Sequence, residues 1–427
     1  MTAVLCGEDL GWVERVLDRC ETRYLNDAGI LATALDGEGR LSDPTPLLAD
    51  FGDVLPFMSR LGRTGFVDRQ MALARPLLSD ALYAQGGRLR LFDNHDWLLG
   101  LLELHAVTGD RSLLDLAAEG ARTLIRRFFV DDLLTDGTAY WKDPRSWLSP
   151  ASPFNGGYIE LWIELHELTG DAVFLEASQR LAARWNLTPG FQSHGVLEKV
   201  FSARSATLNR LAGRGARMRA LLFKDNTNFV WSLLALHGAT QDPAWARMIQ
   251  RWIEGFRDHF LNGGQVWLWL DRAMQGRDVS LKAAFSSIDL LCDIHAAGVL
   301  DQALPIARIV ANSWLPLAWS NGLFPEHPGG RRDHLDANVD MAVALLKLAG
   351  LTGHQPYADA AARAAEGVVS HHEGPHGLVM AVDPDGQVVD PRIIVKYQAL
   401  ALKLALAPRA ADDLWADRTL MTLLRDR

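Results

Sequence analysis

One stretch decides the fold: Asp93-Asn94-His95-Asp96-Trp97-Leu98-Leu99-Gly100-Leu101-Leu102-Glu103-Leu104-His105-Ala106-Val107-Thr108-Gly109-Asp110. It begins with a polar cluster, continues as an apolar helix and ends on Thr-Gly-Asp. Glycine commonly ends a helix in the left-handed conformation, and aspartate is a favoured cap for the helix that follows. The stretch therefore predicts one helix of a hairpin together with the turn that leads to its partner.

The same plan returns at residues 155–169, 225–240 and 336–352. When the copies are aligned on their last threonine, the residue fourteen positions earlier is Asn94, Asn155, Asn226 or Asn338. The residue twelve positions earlier is Asp96, Gly157, Asn228 or Asp340. A pattern that recurs in this way indicates a repeat architecture. A polar site is rebuilt at the start of each repeat.

The helix in each copy is apolar almost all round, so it must be buried on every side, whereas its partner carries charges along one stripe. An inner ring of helices inside an outer ring satisfies both patterns. The sequence has six or seven such inner helices. It therefore predicts an all-α (α/α)6 toroid, with (α/α)7 as the variant and minor β-hairpins in the loops. We expect one domain over residues 1–427, with a long connection inserted at about residues 186–224.

The composition narrows the class of partner. The net charge is −9, which argues against nucleic acid because phosphate binding needs a basic surface. No stretch reaches the ~18 uninterrupted apolar residues of a membrane span, and residues 1–9 do not read as a signal peptide. Cys6, Cys20 and Cys292 are scattered, which suits a reducing compartment. We therefore expect a cytoplasmic protein with no membrane partner, no metal and no cofactor.

The acids at the helix starts are the candidates for catalysis. If alternate helices run in opposite directions, all inner helices begin at one end of the ring, and their positive dipole ends face one mouth. Asp93 with Asp96 and Asp336 with Asp340 are three and four residues apart, so each pair shares one helix face. Close carboxylates push their pKa values apart, as acid and base partners require. One cap suffices for a helix, so we predict catalytic roles for Asp96, Asp336 and Asp340.

Other polar and aromatic residues near the mouth are candidates for substrate binding. The polar set is Asp53, from a divergent first copy that ends at Thr64, with Asn94, Asn155, Asp225, Asn226, Asn228 and Asn338. The competing interpretation is that the asparagines are helix caps, which a repeat would copy. The aromatic and basic set is His95, Trp97, Tyr158, Trp267, His334, Lys396 and Tyr397. For Trp97 and Tyr158 the favoured alternative is packing in the core.

The repeated inner helices, such as Leu101-Leu102-Glu103-Leu104-His105 closing on Thr108-Gly109-Asp110, resemble those of the six-hairpin, (α/α)-toroid superfamily of carbohydrate-active proteins, as do their acidic starts. That superfamily includes α-1,6-mannanase-like hydrolases, unsaturated uronyl hydrolases and N-acylglucosamine 2-epimerase-like isomerases. The resemblance covers most of the chain. It implies a toroid and a small-molecule or oligosaccharide substrate.

Three hypotheses remain open at this point. The first is a glycoside hydrolase or related lyase, in which one of Asp96, Asp336 or Asp340 is the general acid and another is the base or nucleophile. The second is a sugar isomerase or epimerase that moves protons through His95, His334 or Tyr397 with Lys396. The third is a non-catalytic toroid that binds a glycan or a protein. Two acids across the mouth favour the first, and a histidine or tyrosine facing an acid favours the second.

Overall fold

A computed structural model describes residues 11–85, 88–135, 150–199, 201–202 and 219–406. The helices are α1 (Gly11–Thr22), α2 (Leu48–Arg60), α3 (Thr64–Ala74), α4 (Leu91–Thr108), α5 (Arg111–Phe128), α6 (Tyr158–Thr169), α7 (Ala172–Asn186), α8 (Pro189–His194), α9 (Thr227–Thr240), α10 (Pro243–Gly255), α11 (Leu281–Ala296), α12 (Ala303–Trp314), α13 (Leu335–Thr352), α14 (Gln355–His372), α15 (Val395–Ala401) and α16 (Lys403–Leu406). Short irregular turns precede two inner helices, at Pro153–Gly157 and Leu222–Asn226.

Short antiparallel strands connect the helices. They are β1 (Ala34–Leu35), β2 (Leu41–Asp43), β3 (Leu78–Ser79), β4 (Leu82–Gln85), β5 (Arg88–Leu89), β6 (Phe129–Val130), β7 (Leu133–Leu134), β8 (Pro150–Ala151), β9 (Phe201–Ser202), β10 (Ala220–Leu221), β11 (Leu261–Asn262), β12 (Gln265–Leu270), β13 (Gly276–Val279), β14 (Ala381–Val382), β15 (Val388–Asp390) and β16 (Ile393–Ile394). The predicted hairpins appear as β12 with its neighbours and as β14 with β15.

The all-α toroid is confirmed. The inner helices contact one another in the order α2, α4, α6, α9, α11, α13 and α15. The ring closes because α15 also contacts α2, and because β16 pairs with β1. Each inner helix packs against an outer partner, and α1 serves α15 in this way. The described residues thus contain seven inner helices, so they follow the (α/α)7 variant.

The turn at the end of the repeat has a clear physical basis. Gly109 adopts φ +72°, the left-handed conformation that ends α4, and the Asp110 side chain accepts a hydrogen bond of 2.9 Å from the Ser112 N–H to cap α5. His105 Nδ1 lies 2.9 Å from the Asp110 carbonyl oxygen. The copies at Gly170 and Gly353 end their helices in the same conformation. The Thr-Gly-Asp sequence therefore makes the reversal between inner and outer helices.

The hydrophobic core consists of the inner helices and the faces of the outer helices that pack against them, as the apolar inner helices predict. Leu102, Leu234 and Leu345 are 0–3% exposed. Truncation of any one to alanine is expected to reduce the free energy of unfolding by about 2–5 kcal/mol, since it removes buried methyl groups and leaves a cavity. Urea unfolding measures this difference. A much smaller loss at all three positions would contradict their placement in the core.

Part of the predicted 186–224 connection, namely residues 200 and 203–218, lies outside the described residues. The described parts hold α8, β9 and β10. That the whole chain forms one domain stays a prediction. Among the described residues, no helix combines the length and apolar character needed to cross a bilayer.

Candidate active site

The repeated asparagines hold the loops that surround the mouth, the end of the ring at which the inner helices begin. Asn338 Oδ1 accepts from the Phe324 N–H at 2.7 Å, and its Nδ2 donates to the Phe324 carbonyl at 3.0 Å. The same two-way contact joins Asn94 with Tyr83, and Asn226 with Leu197. All three asparagines have no exposed surface. Each amide thus ties an inner helix to the segment before it.

Two further amides act in the same way. Gln398, the fourth residue of α15, accepts from the Leu378 N–H at 2.6 Å and donates to the Leu378 carbonyl at 2.8 Å. Asn155 donates to the Leu134 carbonyl at 3.3 Å and is 3% exposed. Neighbouring backbone uses both polar atoms of Asn94, Asn226, Asn338 and Gln398, which a simple helix cap does not require. The substrate-binding role of the asparagines stays a prediction. The sequence missed Gln398, although it stands at the helix position of Asn94 and Asn338.

Two glycines bring α2 and α4 into direct backbone contact. A Cβ on Gly52 would lie 1.8 Å from the Asp96 backbone oxygen, and one on Gly100 would lie 2.3 Å from the Gly52 Cα. This approach sets Asp53, the next residue of α2, close to Asp96. Burial raises the pKa of the Asp53 carboxyl, and the negative charge of Asp96 raises it further, while Lys396 opposes both. The helix contact therefore creates a pair of interacting carboxyl groups.

Asp96 is held in its ionised form. Its Oδ1 lies 2.8 Å from His95 Nδ1, and a carboxylate can only accept, so the imidazole donates. Burial alone would raise the pKa of Asp96, but the hydrogen bond and charge of His95, with the charges of Lys224 and Lys396, lower it to about 2. Asp96 in turn raises the pKa of His95 against the effect of burial.

The opposite edge of the His95 ring faces Gly157, and this contact explains why the second copy has glycine at the place of Asp96. A Cβ on Gly157 would lie 2.9 Å from His95 Nε2, and a hydrogen bond with the Gly157 backbone contributes to the raised pKa of His95. The ring also packs edge-on against Tyr158, with centroids 5.1 Å apart. His95 is thus held on one side by Asp96 and on the other by the Gly157 backbone and Tyr158.

Lys396, from the last inner helix, lies close to two acids of α2. Lys396 Nζ lies 3.4 Å from Asp53 Oδ2 and 3.8 Å from Asp50 Oδ1. Burial raises the pKa of Asp50 to about 7, even though Lys396 opposes the shift. The ring closure between α15 and α2 therefore also brings together charges of opposite sign.

Asp340 has the opposite tendency to Asp96. Burial raises its pKa to about 6, and the charge of Asp336 adds to this, although Lys403 Nζ lies 2.8 Å from Asp340 Oδ1 and opposes it. The side chains of Asp96 and Asp340 are 21% and 22% exposed. Both carboxyl groups are therefore largely removed from water but still reach the solvent. This is the setting in which two acids can differ in protonation at one pH.

A second group of side chains lies beside Asp336. The His334 and Tyr397 rings meet edge-on with centroids 5.8 Å apart. Burial raises the pKa of Tyr397 to about 12, and the charge of Asp336 adds to the shift. Burial and the charge of Lys282 lower the pKa of His334, although Asp336 opposes them. Burial and Lys282 thus favour the neutral form of the His334 imidazole, which lies beside the Tyr397 phenol.

The remaining predicted residues have less direct contact with this group. Trp97 and Tyr158 are 1% and 0% exposed, so they pack in the core, and the Tyr158 hydroxyl donates to the Leu91 carbonyl at 2.6 Å. Asp225 accepts from Ser152 at 3.3 Å, and burial raises its pKa to about 6. Asn228 and Trp267 are half-buried, in α9 and β12 respectively.

Sequence reasoning missed several charged residues of the site. Lys403 follows Lys396 by seven residues, which is two helical turns, and Asp289 lies in the middle of α11. Charged residues are costly inside a helix that is buried all round, unless they face the enclosed space. This rule could have identified Asp289, Lys347 and Lys403 from the sequence, because it does not depend on the position in the repeat.

Comparison with solved structures agrees with this architecture. The fold is similar to that of the α-1,2-mannosidase from Trichoderma reesei, with a TM-score of 0.69 and 15% sequence identity over 92% of each chain. D-mannose isomerase superposes with a TM-score of 0.59 and 12% identity over 96% of this chain and 98% of that one. An unsaturated glucuronyl hydrolase specific for heparin has a TM-score of 0.53 and 12% identity over 94% and 98%.

The likeness to toroid proteins that the sequence suggested is thus confirmed at the level of the fold. No protein-family model matches the sequence, and the search of curated proteins finds no similar sequence.

Proposed function

We propose that the protein is a glycoside hydrolase, in which Asp96 is the base or nucleophile and Asp340 is the general acid. The observation that carries this is the opposite shift of two accessible acids, to a pKa of about 2 for Asp96 and about 6 for Asp340. Glycoside hydrolysis requires one ionised carboxylate and one carboxylic acid on either side of the scissile bond. Environments that separate the pKa values of two carboxyl groups assign them these parts.

The ring order supports this assignment. Asp96 belongs to α4 and Asp340 to α13, and two other inner helices, α2 and α15, lie between them on the shorter path round the ring. Two carboxyl groups in these positions approach a sugar at the mouth from different sides. The proton that Asp340 gives to the leaving oxygen would be recovered from the water that completes hydrolysis.

The neighbours support a carbohydrate substrate. The similar structures are those of a mannosidase, a mannose isomerase and a glucuronyl hydrolase. We infer that the enzyme acts on an oligosaccharide or glycoside. Release of reducing sugar from a panel of aryl glycosides and oligosaccharides tests the proposal. A protein that hydrolyses none of them, but exchanges the C2 hydrogen of free sugars, would overturn it.

A sugar isomerase or epimerase is the second candidate, and the group around His334 favours it. A neutral imidazole can accept a proton from the carbon next to a carbonyl, and Tyr397 lies beside it. His95 suits this chemistry less well, because its ring is held by Asp96 and the Gly157 backbone. Deuterium uptake at C2 of aldoses in D2O, followed by proton NMR, separates the two candidates.

The alkaline limb of the pH profile is expected to depend on Lys403. The general acid must be protonated, so kcat/KM should fall as the pH rises through the pKa of Asp340, at about 6. Lys403 favours the ionised form of Asp340. Lys403→Met should therefore raise that pKa and move the alkaline limb to higher pH.

Lys199→Met is the matched control for the pH experiment. Lys199 lowers the pKa of Asp225 and is not among the charges that shift Asp340. Its removal should leave the alkaline limb in place. An unmoved limb in Lys403→Met, or an equal movement in both variants, would contradict the role of Asp340 as the acid.

A further inference from the structure

The lysines in the described part of the chain are concentrated around the ring mouth and its interior. Only seven of the 43 basic residues are lysine, and six of these lie in the described part of the chain. Lys347, Lys396 and Lys403 are in inner helices and pair with aspartates. The charge of Lys199 lowers the pKa of Asp225, against the effect of burial. The other 36 basic residues are arginines. The described lysines thus place a compact ammonium group in the enclosed part of the ring.

The two other described lysines, Lys224 and Lys282, both place their ammonium groups close to the ring of Phe223. Their Nζ atoms are 5.8 Å and 6.0 Å from the centroid of Phe223, so they are no farther apart than the sum of these distances. Phe223 in turn meets Phe285 edge-on at 5.5 Å. Among the described residues, no carboxylate lies within ion-pair distance of Lys282. We call Phe223, Lys224 and Lys282 the lysine cluster.

The cluster lies next to the proposed catalytic groups. The charge of Lys224 lowers the pKa values of both Asp53 and Asp96, and the charge of Lys282 lowers that of His334. Lys224 lies in the turn that leads into α9, and Lys282 lies in the first turn of α11. The cluster therefore lies where inner helices begin, at the end of the ring that also holds Asp96 and His334.

The backbone of the cluster is strained. Lys224 adopts φ +65° and ψ −41°, a conformation that L-residues rarely adopt, in the turn that leads into α9. Its N–H donates to Thr227 Oγ1 at 3.2 Å, and the next residues, Asp225 and Asn226, are held by Ser152 and by the Leu197 backbone. Strain of this kind persists only where the surroundings enforce it, and it is concentrated at functional sites.

We infer that the lysine cluster is a subsite for an anionic group on the sugar, bound by the Lys224 and Lys282 ammonium groups that meet at the Phe223 ring. A carboxylate, a sulfate ester and a phosphate ester share the chemistry that two ammonium groups recognise. This inference rests on the proposed function, since it names the class of glycoside that the enzyme takes. Lys224 and Lys282 would then determine specificity and would not take part in the proton transfers.

Calorimetric titration of the wild-type protein at low salt tests the subsite with four probes. These are glucose, glucuronate, glucose 6-sulfate and glucose 6-phosphate. At least one anionic sugar is expected to bind about tenfold or more tightly than glucose, as charge-assisted hydrogen bonds in a partly enclosed site would give. The preference should largely disappear in the double variant Lys224→Met/Lys282→Met, while the affinity for glucose stays the same.

Lys199→Met removes one positive charge near the mouth but leaves the cluster intact, so it should keep the preference. Equal affinities for glucose and all three anionic sugars in the wild-type protein would overturn the subsite. A preference that survives in the double variant, with its fold verified by circular dichroism, would overturn it as well. Binding is read without turnover, so the two proposals fail separately. Lysine-dependent binding without hydrolysis contradicts only the hydrolase, and hydrolysis of neutral glycosides without anion preference contradicts only the subsite.

Discussion

Asp96→Asn and Asp340→Asn are each expected to reduce turnover by about 10²-fold or more, the range typical of losing an acid–base group. Asp96→Asn removes the charge that the hydrogen bond of His95 stabilises, and Asp340→Asn removes the proton that the leaving group needs. The melting temperature should change little, since an asparagine oxygen can still accept from His95 or from Lys403. Steady-state kinetics on the identified glycoside, with thermal melting of the same samples, provides the measurement.

Asp110→Asn is the matched control, since it makes the same substitution in the same repeat. Asp110 lies just past the C-terminal end of the α4 helix that carries Asp96, where its side chain caps α5. Asparagine caps a helix about as well as aspartate, so both turnover and stability should be preserved. Full activity in both mouth variants, or unfolding of both, would show that these acids are not the catalytic pair.

Among the glycines that the structure describes, Gly52 is expected to show the largest effect when it is replaced by alanine. The new Cβ would lie 1.8 Å from the Asp96 backbone oxygen, so α2 and α4 must move apart. Overpacking of this kind typically costs about 1–3 kcal/mol, and more where backbone is displaced. The movement also shifts Asp96 relative to Asp53, and a misplacement of about 1 Å can reduce the rate about 10²-fold. Urea unfolding and kinetics should therefore both report a loss.

Gly65→Ala, in the first turn of α3, provides the comparison, because the Cβ it would add meets no atom within 4 Å beyond its chain neighbours and its own helix backbone. Alanine is the better helix former, so this variant should be as stable as the parent or slightly more so. If Gly52→Ala matched Gly65→Ala in both stability and activity, the direct contact between α2 and α4 would be wrong.

The ring could be predicted from sequence because its signals are local. The left-handed Gly109 and the cap at Asp110 end one helix and begin the next, and the apolar helices between such turns have to be buried. The number of repeats was less certain, since the last inner helix is divided into α15 and α16 and carries Gln398 where other copies carry asparagine.

The site was harder to predict because its determinants are contacts between distant residues. Asn338 has the residue type of a ligand-binding amide, and only the fold reveals that Phe324 uses both of its polar atoms. Gly157 occupies the place of Asp96 and Asp340 in the repeat, and only the fold reveals that it makes room for His95 from the neighbouring helix. Asp96 and Asp340 have the same place in the repeat, and only their different neighbours push their pKa values in opposite directions.

Closure of the ring by α15 against α2 has a consequence for how the protein folds during its synthesis. Synthesis proceeds from the N-terminus, so the first six inner helices leave the ribosome before residues 395–406 exist. Until those residues arrive, the flanks of α2 and α13 that they will cover stay open, and such unfinished apolar edges are where nascent chains associate wrongly. Lys396 and Lys403 arrive with the same segment. The segment that closes the ring therefore also brings Lys396 to Asp53 and Lys403 to Asp340.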